Sequence, residues 1–177
     1  MDLLDVKKPT ASNSGAGGGV NTEIVLIQAE DVATFPALDT DGVSYKTPIV
    51  MKNGKFARVF YMTQETISPS EKKTKGENSD GGNWQVSVEG NFPGLGKAIQ
   101  KFKKDFGFNF EGYVIIRHVT ENVNYILGQP GYYVKVDDVD AKWNAKGKGT
   151  KFQFQADQAN PICFYDAAIP FQTVSGV

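Results

Sequence analysis

Alternating apolar and polar residues over much of the chain predict a protein built mainly from β-strands. In "WQVSVEGNF" (84–92), Val86 and Val88 fall on one face of a predicted strand, and Ser87 and Glu89 fall on the other. "FQFQADQ" (152–158) alternates in the same way, and "EIVLIQ" (23–28) is a run rich in β-branched residues. Together with the segments that follow, the pattern predicts seven or eight strands in a mainly β, β-sandwich or barrel-like domain.

Turn-forming residues divide these strands and indicate which of them pair. Asn53-Gly54 lies within "IVMKNGKFARVFYM" (49–62), and this dipeptide is the strongest short-range signal for a hairpin, so the two halves of the segment are predicted to pair. "GYVIIRHV" (112–119) and "VNYILGQPGYYVKVDDV" (123–139) are predicted to form a second hairpin. "DAKWNAKGKGTK" (140–151) is interpreted as a glycine- and lysine-rich connection, and "NPICFYDAAIPF" (160–171) as the last strand.

One amphipathic helix is predicted at about residues 94–106. Apolar residues recur there at helical spacing and define a face that is expected to pack on the core: Leu95, Ala98, Ile99, Phe102 and Phe106. Lysines occupy the rest of the helix surface and concentrate in its last turns, where they favour the negative end of the helix dipole. Gly107 is placed to cap the helix. The segment is therefore interpreted as a lid on the sheet and not as a nucleic-acid reader.

Two long polar segments differ from the predicted strands. Residues 1–22 end in a glycine- and serine-rich run and are predicted to be a flexible arm, or an arm that becomes ordered against a neighbouring subunit. Residues 23–177 are assigned to a single β-rich domain, which contains a polar stretch at about 63–83. A loop of that length inside a compact domain is usually functional or disordered.

Composition fits one domain and narrows the range of partners. The 177 residues suffice for one core, and a formal net charge of −1 gives the whole molecule no attraction to nucleic acid or anionic membranes. The single cysteine, Cys163, excludes an internal disulfide and fits a reducing compartment or an assembly site. No apolar run is long enough to span a bilayer, and the first ten residues do not resemble a secretory signal, so synthesis in a cytoplasm is predicted.

Residue types that carry catalysis or bind metals are sparse. The one histidine, His118, lies within a predicted strand, and together with Cys163 it cannot complete a zinc site. "GAGGG" and "GLGKA" lack the spacing of phosphate-binding loops, although the second could bind an anion at a helix start. The acidic cluster of Asp137, Asp138 and Asp140 is interpreted as a solvated strand end, with a calcium site as the alternative. We therefore predict neither enzymatic activity nor a cofactor.

Three stretches together resemble structural proteins of tailed bacteriophages that infect Bacteroidetes-type hosts. They are "EDVATFPALDTDGVSYKTPIVMKNGKF" (30–56), "NWQVSVEGNFPGLGKAIQKFKKDFGFNFEGYVIIRHVTENVNYILGQP" (83–130) and "GTKFQFQADQANPICFYD" (149–166). In the order of its elements the chain is similar to the tail tube family, whose fold is shared by the type VI secretion tube protein. The resemblance covers about residues 23–170 and rests on patterns of elements, because the family has no catalytic signature.

The resemblance implies a structural virion protein. Family members are β-sandwich or barrel-like subunits with one helix packed against the outside, and six copies join their sheets edge to edge in a ring. The rings stack into a hollow tube through which DNA passes without specific binding. The implied partners are copies of the same chain and other tail or neck proteins, with no membrane, and the implied location is the virion tail, assembled in the host cytoplasm. Edge pairing of this kind completes strands that an open sheet leaves unpaired.

Two sets of residues acquire roles from the resemblance. Family members carry a long loop that becomes ordered on the adjacent ring, and the segment at about 63–83 fits that description; its candidate contact residues are Thr66, Ser68, Glu71, Lys72, Lys73, Lys75, Glu77 and Asp80. A bore that passes DNA should not bind phosphate. The ring interior is therefore predicted to be acidic or neutral, with Asp137, Asp138 and Asp140 as candidate lumen-facing residues.

Three other functions stay open. A tail terminator, neck or hub ring protein needs the same edge pairing, and a non-viral contractile-injection or secretion tube protein shares the fold. The third is a carbohydrate-binding β-sandwich module. Such a module needs a cluster of exposed aromatic residues, for which Tyr132, Tyr133 and Trp143 are the candidates.

Overall fold

The structure, a computed structural model, describes Leu3, Asp5 and residues 20–63, 66–75, 82–118, 122–144 and 147–171. These residues form twelve strands, where seven or eight were expected, and one α-helix, so the protein is mainly β, as expected. The strands are β1 (Val20–Gln28), β2 (Val32–Thr34), β3 (Ser44–Tyr45), β4 (Val50–Met51), β5 (Arg58–Tyr61), β6 (Ser68–Lys73), β7 (Trp84–Pro93), β8 (Glu111–His118), β9 (Val123–Leu127), β10 (Val134–Asn144), β11 (Gly147–Gln158) and β12 (Cys163–Tyr165). Helix α1 spans Lys97–Phe106, and a short 3-10 turn spans Ala29–Asp31.

One branched sheet contains ten of these strands. β8 lies at the branch: β1 pairs along one of its edges, and β9 and β10 share the other edge. From β9 the sheet continues to β12 and β3, and from β10 it continues through β11 and β7 to β6. β5 pairs with the free edge of β1. β2 and β4 form a separate two-stranded sheet.

The sheet curls around the larger of two hydrophobic cores. β5 and β11 are four strand spacings apart in the order β5-β1-β8-β10-β11, which is about 19 Å in a flat sheet. Nevertheless, the rings of Phe60 and Phe152 are only 5.2 Å apart. A hydrogen bond of 2.6 Å from the Thr63 N–H to the Asn91 carbonyl also joins the end of β5 to β7. The strands therefore enclose this main core as a nearly closed barrel.

A second core covers the opposite face of β1 and β8. Ile24 and Leu26 of β1 face the main core, whereas Val25 and Ile27 face the second core. β1 is therefore buried on both sides, which explains why its sequence is a continuous apolar run and not an alternating one.

Buried tyrosines in the second core make the stability of the protein sensitive to alkaline pH. Burial raises the pKa of Tyr45 to about 12, and it also raises the pKa values of Tyr113 and Tyr165. An unfolded tyrosine ionises at about pH 10, whereas the folded one keeps its proton. The stabilising contribution is therefore complete below pH 10 and is lost as the pH rises toward 12.

We expect the free energy of unfolding, measured by urea denaturation at successive pH values, to fall between pH 10 and pH 12 and to fall less steeply in Tyr45→Phe. Tyr132→Phe, which removes an exposed tyrosine, is the control and should keep the wild-type pH dependence. Identical pH dependence in wild type and Tyr45→Phe would contradict the prediction.

Helix α1 covers one side of the main core. Ile99, Phe102 and Phe106 are buried, and the Phe102 ring lies 4.8 Å from the Phe60 ring. Two members of the predicted core face differ from expectation. The helix begins at Lys97, so Leu95 precedes it and is half-buried, and Ala98 is exposed. The expectation for Ala98 is wrong because the buried stripe is narrow, and at 100° per residue Ala98 points about 70° away from its centre.

The hairpin predicted around Asn53-Gly54 is wrong. The turn itself forms, with a hydrogen bond of 3.0 Å from the Lys55 N–H to the Lys52 carbonyl, and Gly54 has a φ of 73°. The strands on either side do not pair with each other, because β4 pairs with β2 and β5 pairs with β1. The long apolar strand β1 offers Phe60 a place in the main core that a two-residue partner such as β4 does not provide.

Two other boundaries differ from the sequence expectations. The segment 123–139 is not one strand, because a turn at residues 128–133 separates β9 from β10; Gly128 and Gly131 adopt φ values of 91° and 83° there. Conversely, the stretch 140–151 is not a connection. Its described residues, 140–144 and 147–151, form the paired ends of β10 and β11, with Trp143 opposite Lys148.

Leu3 and Asp5 are the described residues of the first nineteen, and both contact the domain. Leu3 is buried in the main core, and the Asp5 carboxylate accepts a hydrogen bond of 3.0 Å from the Val59 N–H on β5. β1 begins at Val20, three residues before the expected start of the domain. The rest of the predicted arm, residues 1–22, lies outside the described residues.

Candidate functional site

The segment interpreted as a long polar loop contains an edge strand. β6 pairs antiparallel with β7, from Ser68 opposite Glu89 to Lys73 opposite Trp84. The loop interpretation is wrong here because a strand that is polar on both faces has no period-two signal, so the pairing depends on the regular edge that β7 offers. Of the candidate contact residues, β6 contains Ser68, Glu71, Lys72 and Lys73; Thr66 and Lys75 flank it; and Glu77 and Asp80 lie outside the described residues.

β6 is an exposed strand at the border of the sheet. All six of its residues are exposed, and none belongs to either core. Within the described chain its backbone pairs with β7 alone, so its other edge presents unpaired N–H and C=O groups. Pro69, Lys72 and Lys73 are residue types that natural proteins place on edge strands to prevent indiscriminate pairing. The edge is therefore open to another strand, provided that the partner also fits through its side chains.

An apolar cleft of about 480 Å³ separates β6 from the sheet opposite. One wall is formed by residues 69–71 of β6, and the other wall and one end are formed by Ile116, His118, Tyr125, Ile162 and Phe164. By register Ile116 lies opposite Tyr125, and Tyr125 lies opposite Phe164, so this wall continues the apolar face of the main core. Glu71 crosses the cleft and accepts a hydrogen bond of 3.0 Å from the Ile162 N–H.

Two carboxylates, Glu71 and Asp41, lie near the β12 side of this cleft. Glu71 is the only carboxylate or lysine among the residues that line it. The neighbouring Cys163 is buried, and its pKa is raised first by burial and then by the charges of Asp41 and Glu71. Beside Glu71, a basic group would therefore be favoured over an acidic one.

The predicted acidic cluster lies on the surface and is partly neutralised. Asp137 and Asp138 are exposed, and the register of β10 shifts between Val136 and Asp138. Asp140 is half-buried and forms an ion pair of 2.7 Å with Lys142, whose pKa it raises by hydrogen bonding. Among the described residues, no group of three histidine, cysteine, aspartate or glutamate side chains could hold a metal ion.

Two large aromatic residues project from the surface at separate places. Phe108, in the turn after α1, is 99% exposed, and Trp143, near the end of the β10–β11 hairpin, is 69% exposed. Tyr132 and Tyr133 line a polar cleft of about 560 Å³, but Tyr133 also packs edge-on against Tyr113 of the second core at 5.7 Å. Trp143 does not line that cleft, so the three aromatic residues considered for carbohydrate binding do not form one surface.

His118 ends β8 and is half-buried. It lines the apolar cleft and also a smaller cleft of about 400 Å³ that Arg117 and Asn124 share.

Among the helical residues that the structure describes, no helix is long and apolar enough to cross a membrane.

The protein-family models, the curated proteins and the solved structures contain no match to this chain. β6, the apolar cleft and Trp143 are therefore the features on which a function can be based.

Sequence reasoning missed the cleft and the position of Trp143. The cleft joins residues from β6, β8, β9 and β12, which are too far apart in the chain for any local pattern to indicate it. Trp143 did have a signal, because Val139, Ala141 and Trp143 continue the period-two alternation of β10 through the segment that was interpreted as a connection.

Proposed function

We propose that this chain is a structural virion protein of a tailed bacteriophage, which forms rings, hexameric by the family resemblance, that stack into the tail tube. The observation that carries the proposal is the exposed strand β6. It contributes no residue to its own cores, so it adds little to the stability of an isolated domain. It does offer a second chain an unpaired backbone edge, which is the surface that strand addition uses.

The arrangement of the contact favours a closed or repeating assembly. The open edge of β6 lies at one border of the sheet, and its pairing with a different strand of another copy would be a head-to-tail contact. Such a head-to-tail contact generates rings when its rotation closes and filaments when it does not. A stack of rings contains contacts of both kinds: one kind closes each ring, and the other repeats along the stack.

The charged surface of β10, β11 and β7 supports the proposed passage of DNA. Lys151 pairs with Glu89 at 2.7 Å, and Lys142 pairs with Asp140 at 2.7 Å. A bore lined by such balanced pairs, with Asp137 and Asp138 as additional negative charges, would not release counterions from DNA and would not retain it. We therefore propose residues 137–140 as part of the lumen.

Two related assemblies depend on the same edge. A tail terminator, neck or hub ring protein forms a single ring, and a non-viral contractile-injection or secretion tube protein forms a tube outside a virion. The length of the assembly separates the first of these from a tail tube.

The test is the oligomeric state of the purified full-length chain over a range of concentrations, measured by light scattering and negative-stain electron microscopy. We expect hollow rings made of copies of the 19.3 kDa chain and, at higher concentration, stacks of these rings. Single rings at every concentration would favour the terminator or neck function. A monomer at every concentration would overturn the proposal.

A further inference from the structure

We infer that Trp143 of one copy inserts into the apolar cleft beside β6 of the next copy. This inference rests on the proposed self-assembly and identifies the side-chain contact that selects the partner. The open edge of β6 alone would not provide that selection, because Pro69 and the lysines of this strand disfavour indiscriminate pairing.

The position of Trp143 suits it for such a contact. It lies on the same face of β10 as Val139 and Ala141, which are opposite Phe152 and Thr150 inside the barrel. The pairing of β11 with β7 ends where Gly149 lies opposite Pro93. The β10–β11 pair extends further than this, so β7 does not lie beside its end. Trp143 therefore extends the apolar face of β10 beyond the main core and is left 69% exposed.

The cleft has the complementary character. Its wall is apolar and aromatic, with the Tyr125 and Phe164 rings 5.3 Å apart, and Phe164 is still 37% exposed. Tryptophan is among the residues that most often dominate the binding energy of an interface when they fill an apolar pocket. Seating the indole against the paired rings of Tyr125 and Phe164 would cover apolar surface that the isolated domain leaves exposed to water.

The charges of the two surfaces are complementary as well. By sequence, residues 140–151 contain four lysines, at 142, 146, 148 and 151; Asp140 pairs with Lys142 and Glu89 pairs with Lys151, which leaves a net charge of +2. The cleft carries Glu71 on its wall, and Asp41 adds negative charge near β12. The basic hairpin is therefore attracted to the acidic end of the neighbouring domain.

The two features are too far apart to meet within one chain. Trp143 lies opposite Lys148, whereas Glu71 of the cleft lies opposite Val86, which in turn lies opposite Ala156. Lys148 and Ala156 are eight residues apart along one strand, which is about 27 Å. The contact must therefore join different copies, head to tail. Residues 6–19 are a weaker occupant for the cleft, since they contain no aromatic side chain.

Trp143→Ser and Phe164→Glu test the contact in the full-length chain. We expect each variant to keep the wild-type thermal unfolding curve, because both side chains are partly exposed, and to weaken self-association at least about 30-fold, as the loss of a dominant interface residue does. Phe108→Ser, which removes an exposed aromatic residue elsewhere, is the matched control and should assemble like wild type. Equal weakening in Phe108→Ser would overturn the inference.

Mixing the two variants provides the decisive measurement. The Trp143→Ser copy keeps its cleft and the Phe164→Glu copy keeps its hairpin, so together they should form a one-to-one pair that cannot grow further. A mixture that stays monomeric, or that grows into rings, would overturn the inference.

A photo-crosslinking residue at position 143 identifies the partner surface directly. With isotope-labelled and unlabelled copies mixed, crosslinks should join residue 143 of one copy to Tyr125, Ile162 or Phe164 of another. Crosslinks within one copy, crosslinks to other surfaces, or none would overturn the inference. If wild type assembles while Trp143→Ser assembles equally well, only the inference fails; if wild type never assembles, the proposed function fails together with it.

Discussion

Phe102→Asp is expected to abolish soluble, folded protein. Phe102 is 4% exposed, and its ring lies 4.8 Å from Phe60, 5.6 Å from Phe106 and 5.7 Å from Phe152. Loss of a buried phenylalanine costs about 3–5 kcal/mol, and an unpaired carboxylate in the same place costs several kcal/mol more. The sum is comparable to the whole stability of a typical domain, about 5–15 kcal/mol.

The matched control for this change is Gln100→Asp, which adds the same charge to an exposed position of the same helix. It should be recovered in the soluble fraction with a thermal unfolding temperature close to that of wild type. The measurement is the soluble yield together with circular dichroism. Soluble, assembled Phe102→Asp protein would show that α1 is not the cover of the main core.

Replacement of residues 68–80 by a linker is expected to give a folded monomer that no longer assembles. The replacement removes β6, whose residues are all exposed. The main core keeps Val86, Val88 and Phe92 of β7. The cost to folding is on the order of 2 kcal/mol, chiefly from the exposed ladder and the hydrogen bond between Glu71 and the Ile162 N–H. The open edge of β6, on which the proposed assembly depends, is by contrast removed entirely.

The linker must be long enough to avoid straining the fold. Ser68 lies opposite Glu89, and the chain has to reach Trp84, five residues away along β7, which is about 17 Å. Seven glycine and serine residues span at most about 25 Å and are therefore sufficient. A deletion without a linker would pull β5 and β7 together and strain the fold. Loss of assembly would then not be distinguishable from loss of folding.

The control for this variant replaces only residues 76–80 with glycine and serine, so that β6 is kept. We expect it to assemble like wild type, because the edge is intact. Light scattering and negative-stain microscopy of both variants measure the outcome. Normal rings from the linker variant would remove β6 from the assembly interface, and failure of the control together with the linker variant would assign that role to residues 76–80.

Several elements could be predicted because their signal is local. The helix follows from the spacing of Ile99, Phe102 and Phe106, and β7 follows from the alternation around Val86 and Val88. The sequence of β1 is an apolar run of strand length, and such a run predicts a strand regardless of which of its faces is buried. In each case the side chains that determine the element lie within one segment of the chain.

The elements that local patterns do not predict depend on distant partners. β5 pairs with β1 rather than with β4, because the interior that accepts Phe60 is built by strands from across the chain. β6 has no pattern of its own and exists because β7 has a free edge. The apolar cleft needs Ile116 and Phe164 side by side, an arrangement that follows from sheet topology and not from any single stretch of sequence.

The pairing of β12 has a consequence for the timing of biogenesis. This strand lies beside β9 and, in parallel, beside β3, where Phe164 is opposite Ser44 across 120 residues of chain. It is also translated after every other strand described. A nascent polypeptide therefore presents the β6 edge before it has the aromatic wall formed by Phe164. Under the proposed contact, a copy in the middle of translation would not yet be able to receive a neighbour's indole, and docking would wait until the sheet is complete.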